Sequence, residues 1–341
     1  MSRDLPRMFR NFAGSEARET SPLYHALSLS IAEDNEILTI ADRASPGQPV
    51  PNLLFGAVQY LLARDESDDL RCYYPVFAGE AQSHLEVYPS FRGFVLKHRQ
   101  EIIALLRSRR VQTNEVRRCA YLFPAILLSA MHFPEKPIAL VEIGTSAGLN
   151  LLPDQYRYSY GDAETYGKDR SPLHIQSSFV GHKPSVLKSS FPKVFRRIGI
   201  DTDIVDPTIE DQVAWLMALI WPEHRERRKM LETALAIRLG FDLDLREGDG
   251  FMMINEIVDE IPEDIVPFIY HTHVANQIPE EARNSFVDQI HAMGQRRDVA
   301  HFCNNIKPTL HLTLFREGSP YDTALASVDG HGRSIQWLLK D

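Results

Sequence analysis

Apolar residues recur at helical spacing through the first 135 residues of the chain. Ser21 and Pro22 form a favourable helix start, since serine caps free N–H groups and proline suits the first helical position. The same spacing predicts three further helices, which cover residues 52–64, 91–110 and 114–131. No stretch before residue 138 has the pattern of a strand. The sequence therefore predicts an all-helical N-terminal region over residues 1–135.

From residue 136 onward, short apolar strands alternate with amphipathic helices. The predicted strands cover residues 138–143, 197–200, 243–246, 265–270, 299–303, 309–315 and 335–339. The predicted helices cover residues 209–221, 223–239, 250–258 and 280–293. This alternation predicts an α/β domain over residues 136–341, built on a doubly wound, mostly parallel sheet. Residues 316–334 read as a loop that joins an antiparallel terminal pair.

Residues from about 152 to 192 form an insertion between the first two strands of this domain. The segment is rich in Tyr, Gly and Ser, and it has room for a hairpin built from residues 156–160 and 174–180. Tyr156, Tyr158 and Tyr160 alternate with polar residues, which is strand periodicity. Three tyrosines on one face are typical of packing, although they could also line a substrate pocket.

Composition narrows the possible ligands and the location. The chain has 341 residues, 44% hydrophobic and 24% charged, as is typical of a soluble globular protein. Its formal net charge of -9 gives it no attraction to nucleic-acid phosphates. No run approaches the roughly 18 apolar residues that span a bilayer. The N-terminus lacks a signal peptide's apolar segment, and Cys72, Cys119 and Cys303 are far apart. We therefore expect a cytoplasmic protein with a small-molecule ligand.

The most informative segment is a glycine-containing turn that follows the first predicted strand. The string Glu142-Ile-Gly-Thr-Ser-Ala-Gly-Leu-Asn150 contains Gly144 and Gly148, and we call residues 144–148 the glycine turn. Glycine lets a backbone turn sharply and approach a ligand closely. We expect a helix to begin directly after the turn and to present free N–H groups toward a ligand. Packing of a strand against a helix is the simpler explanation of the glycines alone.

The glycine turn resembles the S-adenosylmethionine site of doubly wound methyltransferases, which carry an E-x-G-x-G-x-G pattern. Glu142, Gly144 and Gly148 match the pattern, and Ser146 replaces the middle glycine. The resemblance implies that Glu142, the glycine turn and Asn150 hold the amino-acid end of the cofactor. It further implies that Asp201, at the end of the second strand, binds the ribose. Asp249, after the third strand, would lie near the adenine.

Two other site classes compete for the same turn. Residues 144–148 are a literal G-x-S-x-G, the pattern of a serine hydrolase, with Ser146 as nucleophile. An acid at Asp249 or Asp264 and a base at His301 or His311 are available. An α/β-hydrolase would have strands before this turn, however, and the sequence predicts none. A dinucleotide site would require G-x-G-x-x-G spacing, which is not present.

Further polar residues are candidates for contact with a second substrate. Gln112, Asn114, Glu115 and Arg118 precede or begin an apolar helix, which suggests a polar cluster that faces a cavity. Capping of that helix explains one or two of these residues. Asp154 and Arg157 follow the turn and are candidate substrate ligands. Asn150 and Asp154 would share a face if the helix extended that far.

A strand-end histidine is the candidate acid or base. His271 and His273 end a predicted strand at positions that would share one face, but a third metal ligand is not evident, so we expect no metal site. His271, Glu115 and Arg118 are our candidate catalytic residues.

Several longer motifs resemble domain-of-unknown-function family 2332 of bacteria. They are Val-Gln-Thr-Asn-Glu-Val-x-Arg at 111–118, the string at 140–158 and Trp-Leu-x-Ala-x-Ile-Trp-Pro-Glu at 215–223. Tyr73-Tyr74-Pro75 and Gly248-Asp249 match as well, so the resemblance covers roughly residue 53 to the end. Arg117 stands where the family commonly has a small residue. His271 matches the family's strand-end histidine, whereas His273 does not.

These observations lead to one main functional hypothesis and two alternatives. The main hypothesis is a methyltransferase-like α/β domain that binds S-adenosylmethionine and methylates a small-molecule acceptor. The first alternative is a serine hydrolase that uses Ser146, and the second is a non-catalytic ligand-binding protein with the same fold. The oligomeric state and the acceptor do not follow from the sequence.

Overall fold

The computed structural model describes residues 3–112 and 114–340. The α-helices in this part of the chain are α1 (Leu5–Phe12), α2 (Pro22–Ile31), α3 (Asn35–Ala41), α4 (Val50–Leu62), α5 (Tyr88–Lys97), α6 (Arg99–Ser108), α7 (Cys119–His132), α8 (Glu210–Ala218), α9 (Arg225–Arg238), α10 (Gly250–Asp259) and α11 (Glu280–Gly294). Among the described residues, no helix is both long and apolar enough to cross a membrane.

The strands are β1 (Ile138–Ile143), β2 (Arg157–Ser159), β3 (Tyr166–Gly167), β4 (His174–Gln176), β5 (Ser178–Phe179), β6 (Val194–Asp201), β7 (Asp244–Glu247), β8 (Val266–His271), β9 (Val299–Cys303), β10 (Leu310–Arg316), β11 (Ser319–Val328) and β12 (Ser334–Trp337). The predicted absence of strands before residue 138 is confirmed for the described residues. All seven predicted strands are present, with ends that differ by at most a few residues.

The chain divides into two compact units whose boundaries differ from the expected one at residue 135. The first unit comprises Met1–Thr113 and Thr208–Lys229, and the second comprises Asn114–Pro207 and Met230–Asp341. Helix α7 therefore belongs to the second unit, although the sequence grouped it with the N-terminal helices. Helix α8 belongs to the first unit, although it follows β6 in the chain.

The first unit is a helical bundle with a continuous apolar core. Helix α2 begins as predicted, because the Ser21 side chain accepts a hydrogen bond from the Tyr24 N–H at 3.1 Å. Trp215 of α8 is buried in the same core. The single helix predicted over residues 91–110 is wrong, because His98 leaves the helical conformation and separates α5 from α6.

The second unit is built on a nine-stranded sheet with the order β5-β12-β11-β10-β9-β8-β1-β6-β7. Strands β9, β8, β1, β6 and β7 are parallel to their neighbours in this run. Strands β10, β11 and β12 continue the sheet in antiparallel pairs, and β5 joins β12 in parallel. The prediction of an α/β domain with a large, mostly parallel sheet is confirmed.

The order of the parallel strands places a switch point beside β1. From β1 the chain extends the sheet to β6 and β7, and it then returns to the other side of β1 for β8 and β9. Ligands of open α/β sheets bind at the carboxyl ends of the strands beside such a switch point. We therefore expect a ligand site at the carboxyl ends of β1, β6, β7 and β8, which we call the carboxyl edge.

The helix expected directly after β1 is absent, which corrects the sequence-based prediction. Gly148 adopts a left-handed conformation, and two short 3₁₀ turns (Leu149–Leu151 and Pro153–Gln155) follow it in place of an α-helix. Pro153 stops a longer helix, because proline disfavours helical backbone at the preceding residue and lacks an N–H donor. The small sheet β3-β2-β4 follows instead, and β2 pairs with β4 in parallel, so the predicted hairpin is also wrong.

The loop predicted over residues 316–334 is wrong for most of its length. Glu317 and Gly318, both with positive φ, form a tight turn, and residues 319–326 of β11 then pair with β10. Pro320 lies in the opening of β11, where strands tolerate proline. The glycines and Pro320 suggested a loop, but they mark only the turn and the strand start.

Candidate functional site

The glycine turn at the end of β1 contains three residues in the left-handed region of backbone conformation. Gly144 has φ +79°, Ser146 has φ +50° and Gly148 has φ +77°. A left-handed conformation is uncommon for residues other than glycine, asparagine and aspartate. Ser146 thus adopts a glycine-like conformation at the position where the methyltransferase pattern has its middle glycine.

Both glycines of the turn are also required by packing. A Cβ atom at position 144 would lie 2.2 Å from Cγ2 of Val274, and one at position 148 would lie 2.8 Å from Cδ1 of Leu243. The missing side chains at these positions therefore make room for neighbouring protein atoms. Close approach of a ligand is not needed to explain the two glycines.

Glu142 lies fully buried beneath the turn and holds it in place. Its Oε2 atom accepts a hydrogen bond from the Thr145 hydroxyl at 2.7 Å, and its Oε1 atom accepts one from Asn150 Nδ2 at 3.2 Å. Burial raises the pKa of Glu142 to about 8, although these two hydrogen bonds favour the charged form. Glu142 therefore organises the turn from below, and Asn150 is its partner.

Asp201 connects the end of β6 to the glycine turn. Its Oδ2 atom accepts a hydrogen bond from the Ser146 N–H at 2.8 Å, and its Oδ1 atom accepts one from the Asp203 N–H at 3.1 Å. Burial raises the pKa of Asp201, and the backbone N–H donors oppose that shift. The carbonyl oxygen of Asp201 also accepts from the Gly248 N–H at 2.8 Å, so the loop after β7 is tied to the same point.

Asp249 follows β7 and begins α10. Its Oδ1 atom accepts a hydrogen bond from the Phe251 N–H at 3.0 Å, which is the usual contact of a helix N-cap residue. The residue is exposed, and so is Met252 one turn into the helix. The structure thus brings Glu142, Asp201 and Asp249 to the ends of three adjacent parallel strands.

His271 is enclosed in the core rather than directed toward the polar cluster that was expected around it. Its ring lies 5.9 Å from the ring of Phe251 and 5.8 Å from that of His301, measured between centroids. Neither ring nitrogen has a hydrogen-bond partner within the described chain. Burial lowers the pKa of His271 to about 4, so the imidazole is neutral.

His273, two residues later, occupies the position that was expected of His271. It has φ +59°, so it does not continue the strand and does not share a face with His271. The amide nitrogen of Asn305 lies 3.4 Å from Nδ1 of His273. Because an amide nitrogen only donates, the ring proton is assigned to Nε2, which is buried without a partner in residues 3–112 and 114–340.

Arg118 and Tyr121 lie close to His273. Arg118 Nη1 donates to the carbonyl and hydroxyl oxygens of Thr272, the residue before His273, both at 3.3 Å. Tyr121 follows Arg118 by three residues in the first turn of α7, so the three side chains are neighbours. The charge of Arg118 accordingly acts on the pKa of both Tyr121 and His273. Burial raises the pKa of Tyr121, which keeps its hydroxyl protonated. We call Arg118, Tyr121 and His273 the donor cluster.

A glycine-containing loop between β11 and β12 covers the donor cluster. A Cβ atom at Gly332 would lie 2.8 Å from the carbonyl oxygen of Arg117, and one at Gly330 would lie 3.6 Å from Cε1 of His273. His331, between these glycines, places Nδ1 3.3 Å from Oε2 of the buried Glu115. Glu115 and Arg118 are thus both near this loop, although Glu115 has a partner of its own.

The remaining candidate residues lie in different surroundings. Asn114 donates from Nδ2 to the Thr145 carbonyl oxygen at 3.3 Å and so links the start of the α7 segment to the glycine turn. Asp154 forms an ion pair with Arg197 at 2.8 Å, and Arg157 lies in the small sheet on β2. Gln112 belongs to the first compact unit.

The three tyrosines of the insertion are packing residues. Tyr156, Tyr158 and Tyr160 are buried, and each hydroxyl donates to a backbone carbonyl oxygen. They show the predicted alternation, and each is at most 4% exposed.

The geometry bears on two arrangements considered from the sequence, a serine hydrolase site and a metal site. A hydrolase would need a histidine hydrogen-bonded to Ser146. Of the two candidate bases, His301 has no partner for Nε2 in the described part of the chain, and Nδ1 of His311 faces Lys307 at 3.3 Å and Asp322 at 3.5 Å. Within that same part, no three His, Cys, Asp or Glu side chains come together in a group that could hold a metal ion.

Sequence reasoning missed Tyr121, His273 and the loop over them. A signal for Tyr121 was available, because it lies three residues after Arg118 and such residues are neighbours on a helix surface. The roles of His273 and Gly332 depend on the chain path beyond β8 and β11, which the local pattern does not specify.

Comparison with known proteins shows the family of the chain. The chain belongs to DUF2332, described as "Uncharacterized protein conserved in bacteria", which matches residues 6–337. This confirms the family resemblance seen in the motifs. No curated protein and no solved structure matches the chain.

Proposed function

We propose that this protein binds S-adenosylmethionine at the carboxyl edge and transfers its methyl group to a small-molecule acceptor. The observation that carries the proposal is the placement of Asp201 and Asp249 at the ends of adjacent strands, next to a turn with glycine-like geometry at three positions. The strand order β7-β6-β1-β8-β9 supports it, because it is the doubly wound order with its switch point beside β1.

The chemistry of the residues present fits parts of this cofactor. A carboxylate has about four acceptor sites, and Asp201 receives backbone N–H groups of Ser146, Thr202 and Asp203. One site therefore remains for a ribose hydroxyl. The exposed carboxylate of Asp249 and the exposed side chain of Met252 offer a polar and an apolar contact for an adenine ring. Glu142 does not fit as a direct ligand, because its two oxygens are buried and occupied.

Each part of the site would have a separate task. The bound cofactor supplies an electrophilic methyl group on a sulfonium. Glu142 and Asn150 keep the turn rigid, Asp201 and Asp249 orient the nucleoside, and Glu115 with the donor cluster faces the acceptor. Methyl transfer depends mainly on positioning of the two reactants, so this assignment needs no general base. His271, which is enclosed and neutral, has no direct part in it.

The acceptor is proposed to be a small molecule. The net charge of -9 does not favour a nucleic-acid substrate. A cytoplasmic location also stays a prediction, and it rests on three cysteines that form no disulfide among the described residues.

Calorimetric titration with S-adenosylmethionine and S-adenosylhomocysteine tests the proposal. We expect one site per chain, with affinity reduced about tenfold by Asp201→Asn, because a charge-assisted hydrogen bond to the ribose is weakened. The matched control is Asp242→Asn, an exposed carboxylate at the other end of the strands. Absence of binding to the wild-type protein at millimolar ligand would contradict the proposal.

The hydrolase alternative has one specific observation in its favour, the left-handed backbone of Ser146. A fluorophosphonate probe distinguishes it, because labelling that disappears in Ser146→Ala would establish a nucleophilic serine. We expect no labelling. Binding of S-adenosylhomocysteine without methyl transfer to any tested acceptor would favour the non-catalytic alternative.

A further inference from the structure

Arg118 is a buried cation without a carboxylate partner. The residue is 6% exposed, and no ion pair within residues 3–112 and 114–340 includes it. Its described hydrogen bonds run from Nη1 to the carbonyl and hydroxyl oxygens of Thr272, both at 3.3 Å, and its Nε atom has no partner there. Burial of an unpaired guanidinium is costly, so a folded protein with such a group needs a compensating anion.

The acidic groups near Arg118 are engaged elsewhere. Glu115 accepts a hydrogen bond at Oε1 from the Arg117 N–H at 3.3 Å, and its Oε2 atom lies 3.3 Å from Nδ1 of His331. Asp329 binds its own loop, because it accepts the Ser334 N–H and pairs with Nε of Arg333, both at 2.9 Å. Glu142 accepts hydrogen bonds from Thr145 and Asn150, and the charge of Arg118 only partly opposes the rise that burial causes in the pKa of Glu142. None of these carboxylates forms an ion pair with Arg118 in the described part of the chain.

The other two members of the donor cluster also have unused donors. The hydroxyl of Tyr121 is fully buried and has no hydrogen-bond partner among the described residues, and the same is true of the protonated Nε2 of His273. Buried polar atoms are nearly always hydrogen-bonded, so three neighbouring donors without acceptors indicate that an acceptor arrives from outside the chain. All three are donors, and one carries a positive charge.

We propose that Arg118, Tyr121 and His273 bind a carboxylate group of the small-molecule ligand. Thr272 holds Nη1 and thereby orients the guanidinium, which leaves the Nε edge available for a planar, two-oxygen partner. Carboxylates suit this edge because they accept two parallel hydrogen bonds from arginine. The inference rests on the proposed function only for the identity of the ligand as acceptor or cofactor. The anion site itself is testable without either.

Thermal unfolding of the wild-type protein and Arg118→Met in acetate or phosphate, against chloride at equal ionic strength, tests the anion site. A ligand at ten times its Kd raises the melting temperature of a mid-sized domain by about 3 °C. We expect such a rise in the wild-type protein, its loss in Arg118→Met and its retention in Arg296→Met, a surface arginine. Equal behaviour of the wild-type protein and Arg118→Met would overturn the proposal.

The melting temperatures of the wild-type protein and Arg118→Met without acetate or phosphate distinguish an anion-binding arginine from a structural one. Methionine keeps much of the side-chain volume and removes the unpaired buried charge, which offsets the loss of the two hydrogen bonds to Thr272, so Arg118→Met should melt at about the same temperature as the wild-type protein or higher. A structural arginine would show the opposite, a clear fall in melting temperature. Tyr121→Phe should weaken anion binding about tenfold, because it removes one donor to a charged group.

Two ligands identify the source of the carboxylate. S-adenosylhomocysteine carries a carboxylate, and 5′-methylthioadenosine does not. If Arg118→Met weakens the binding of S-adenosylhomocysteine but not of 5′-methylthioadenosine, the cofactor supplies the carboxylate. If the variant binds both ligands as the wild-type protein does but has lost the acetate response, the acceptor supplies the carboxylate. An acetate response without S-adenosylhomocysteine binding supports the anion site and contradicts the proposed function. Binding of S-adenosylhomocysteine without an acetate response contradicts the anion site and leaves the proposed function standing.

Discussion

The glycine turn and the donor cluster belong to the same compact unit, and both contain buried polar side chains. In the turn, each carboxylate oxygen of Glu142 already accepts a hydrogen bond from the protein. In the donor cluster, the Tyr121 hydroxyl, the Arg118 Nε and the His273 Nε2 have no acceptor within the described residues. The difference teaches that the most recognisable motif of the sequence is a scaffold. The less recognisable cluster is the part that is incomplete without a ligand.

The largest expected effect tests the turn as a scaffold. Gly144→Val should destabilise the protein by about 3 kcal/mol or more, since it combines a left-handed residue with a branched side chain and severe overlap. The overlap is with Val274, 2.2 Å from the new Cβ. Urea unfolding measures this loss of stability. Gly240→Ala is the control, because its Cβ would meet nothing closer than 3.4 Å, and a similar loss there would contradict this explanation.

The second effect depends on pH and comes from Glu142. Its pKa is about 8 in the folded protein, against an ordinary value of 4.5, so ionisation in the folded state is unfavourable. Its contribution to stability is most favourable below pH 4.5 and is lost as the pH rises to about 8. Each unit of pKa shift corresponds to about 1.4 kcal/mol.

Glu142→Gln isolates this contribution, because glutamine does not titrate. Relative to the variant, the wild-type protein should lose stability between pH 5 and pH 8, by on the order of 2 kcal/mol or more. Unfolding free energies across this range measure the difference. A difference that stays constant with pH would show that Glu142 is charged throughout and that its burial is compensated.

A matched pair of tyrosines compares the two regions directly. The Tyr156 hydroxyl donates to the Leu149 carbonyl oxygen at 2.7 Å, whereas the Tyr121 hydroxyl donates to no described residue. Tyr156→Phe should therefore cost about 1 kcal/mol, because it leaves a buried carbonyl without its partner. Tyr121→Phe should be neutral or slightly stabilising in the absence of ligand. Equal losses in the two variants would remove the distinction between the regions.

The smallest expected effect concerns Ser146. Glycine adopts φ +50° without strain but loses more entropy on folding, so Ser146→Gly should change stability by less than about 1 kcal/mol. It should also keep affinity for S-adenosylhomocysteine, because the backbone N–H that binds Asp201 is retained. Calorimetry on the variant checks both points. Loss of binding would show that the serine hydroxyl itself contacts the ligand.

The spacing of apolar residues predicted the elements of the second unit well where a strand or helix shows its own regular spacing. Strand β9 was predicted with the observed ends, and helix α10 within one residue. The helix after the glycine turn was predicted wrongly, because the left-handed Gly148 and the nearby Pro153 together prevent it. Strand β11 was missed because its pairing with β10, rather than its own sequence, defines it.

The site was predictable only in part, for a similar reason. Acidic residues at strand ends are visible in the sequence, and Glu142, Asp201 and Asp249 were found in that way. The surroundings of His271 were not, because β8 is buried on both faces and the pattern does not say which face meets the ligand. The positive φ of His273, which brings its ring to Arg118, has no local signal.

Hydrogen–deuterium exchange with and without S-adenosylhomocysteine tests most directly whether the carboxyl edge binds the proposed ligand. We expect protection of residues 144–150, 201–205 and 248–253, which follow β1, β6 and β7. A cleft of about 330 Å³ at the opposite ends of β6 and β7, lined by Arg196, Arg197 and Asp242 among others, serves as an internal comparison. Protection confined to that cleft, or no protection anywhere, would contradict the account.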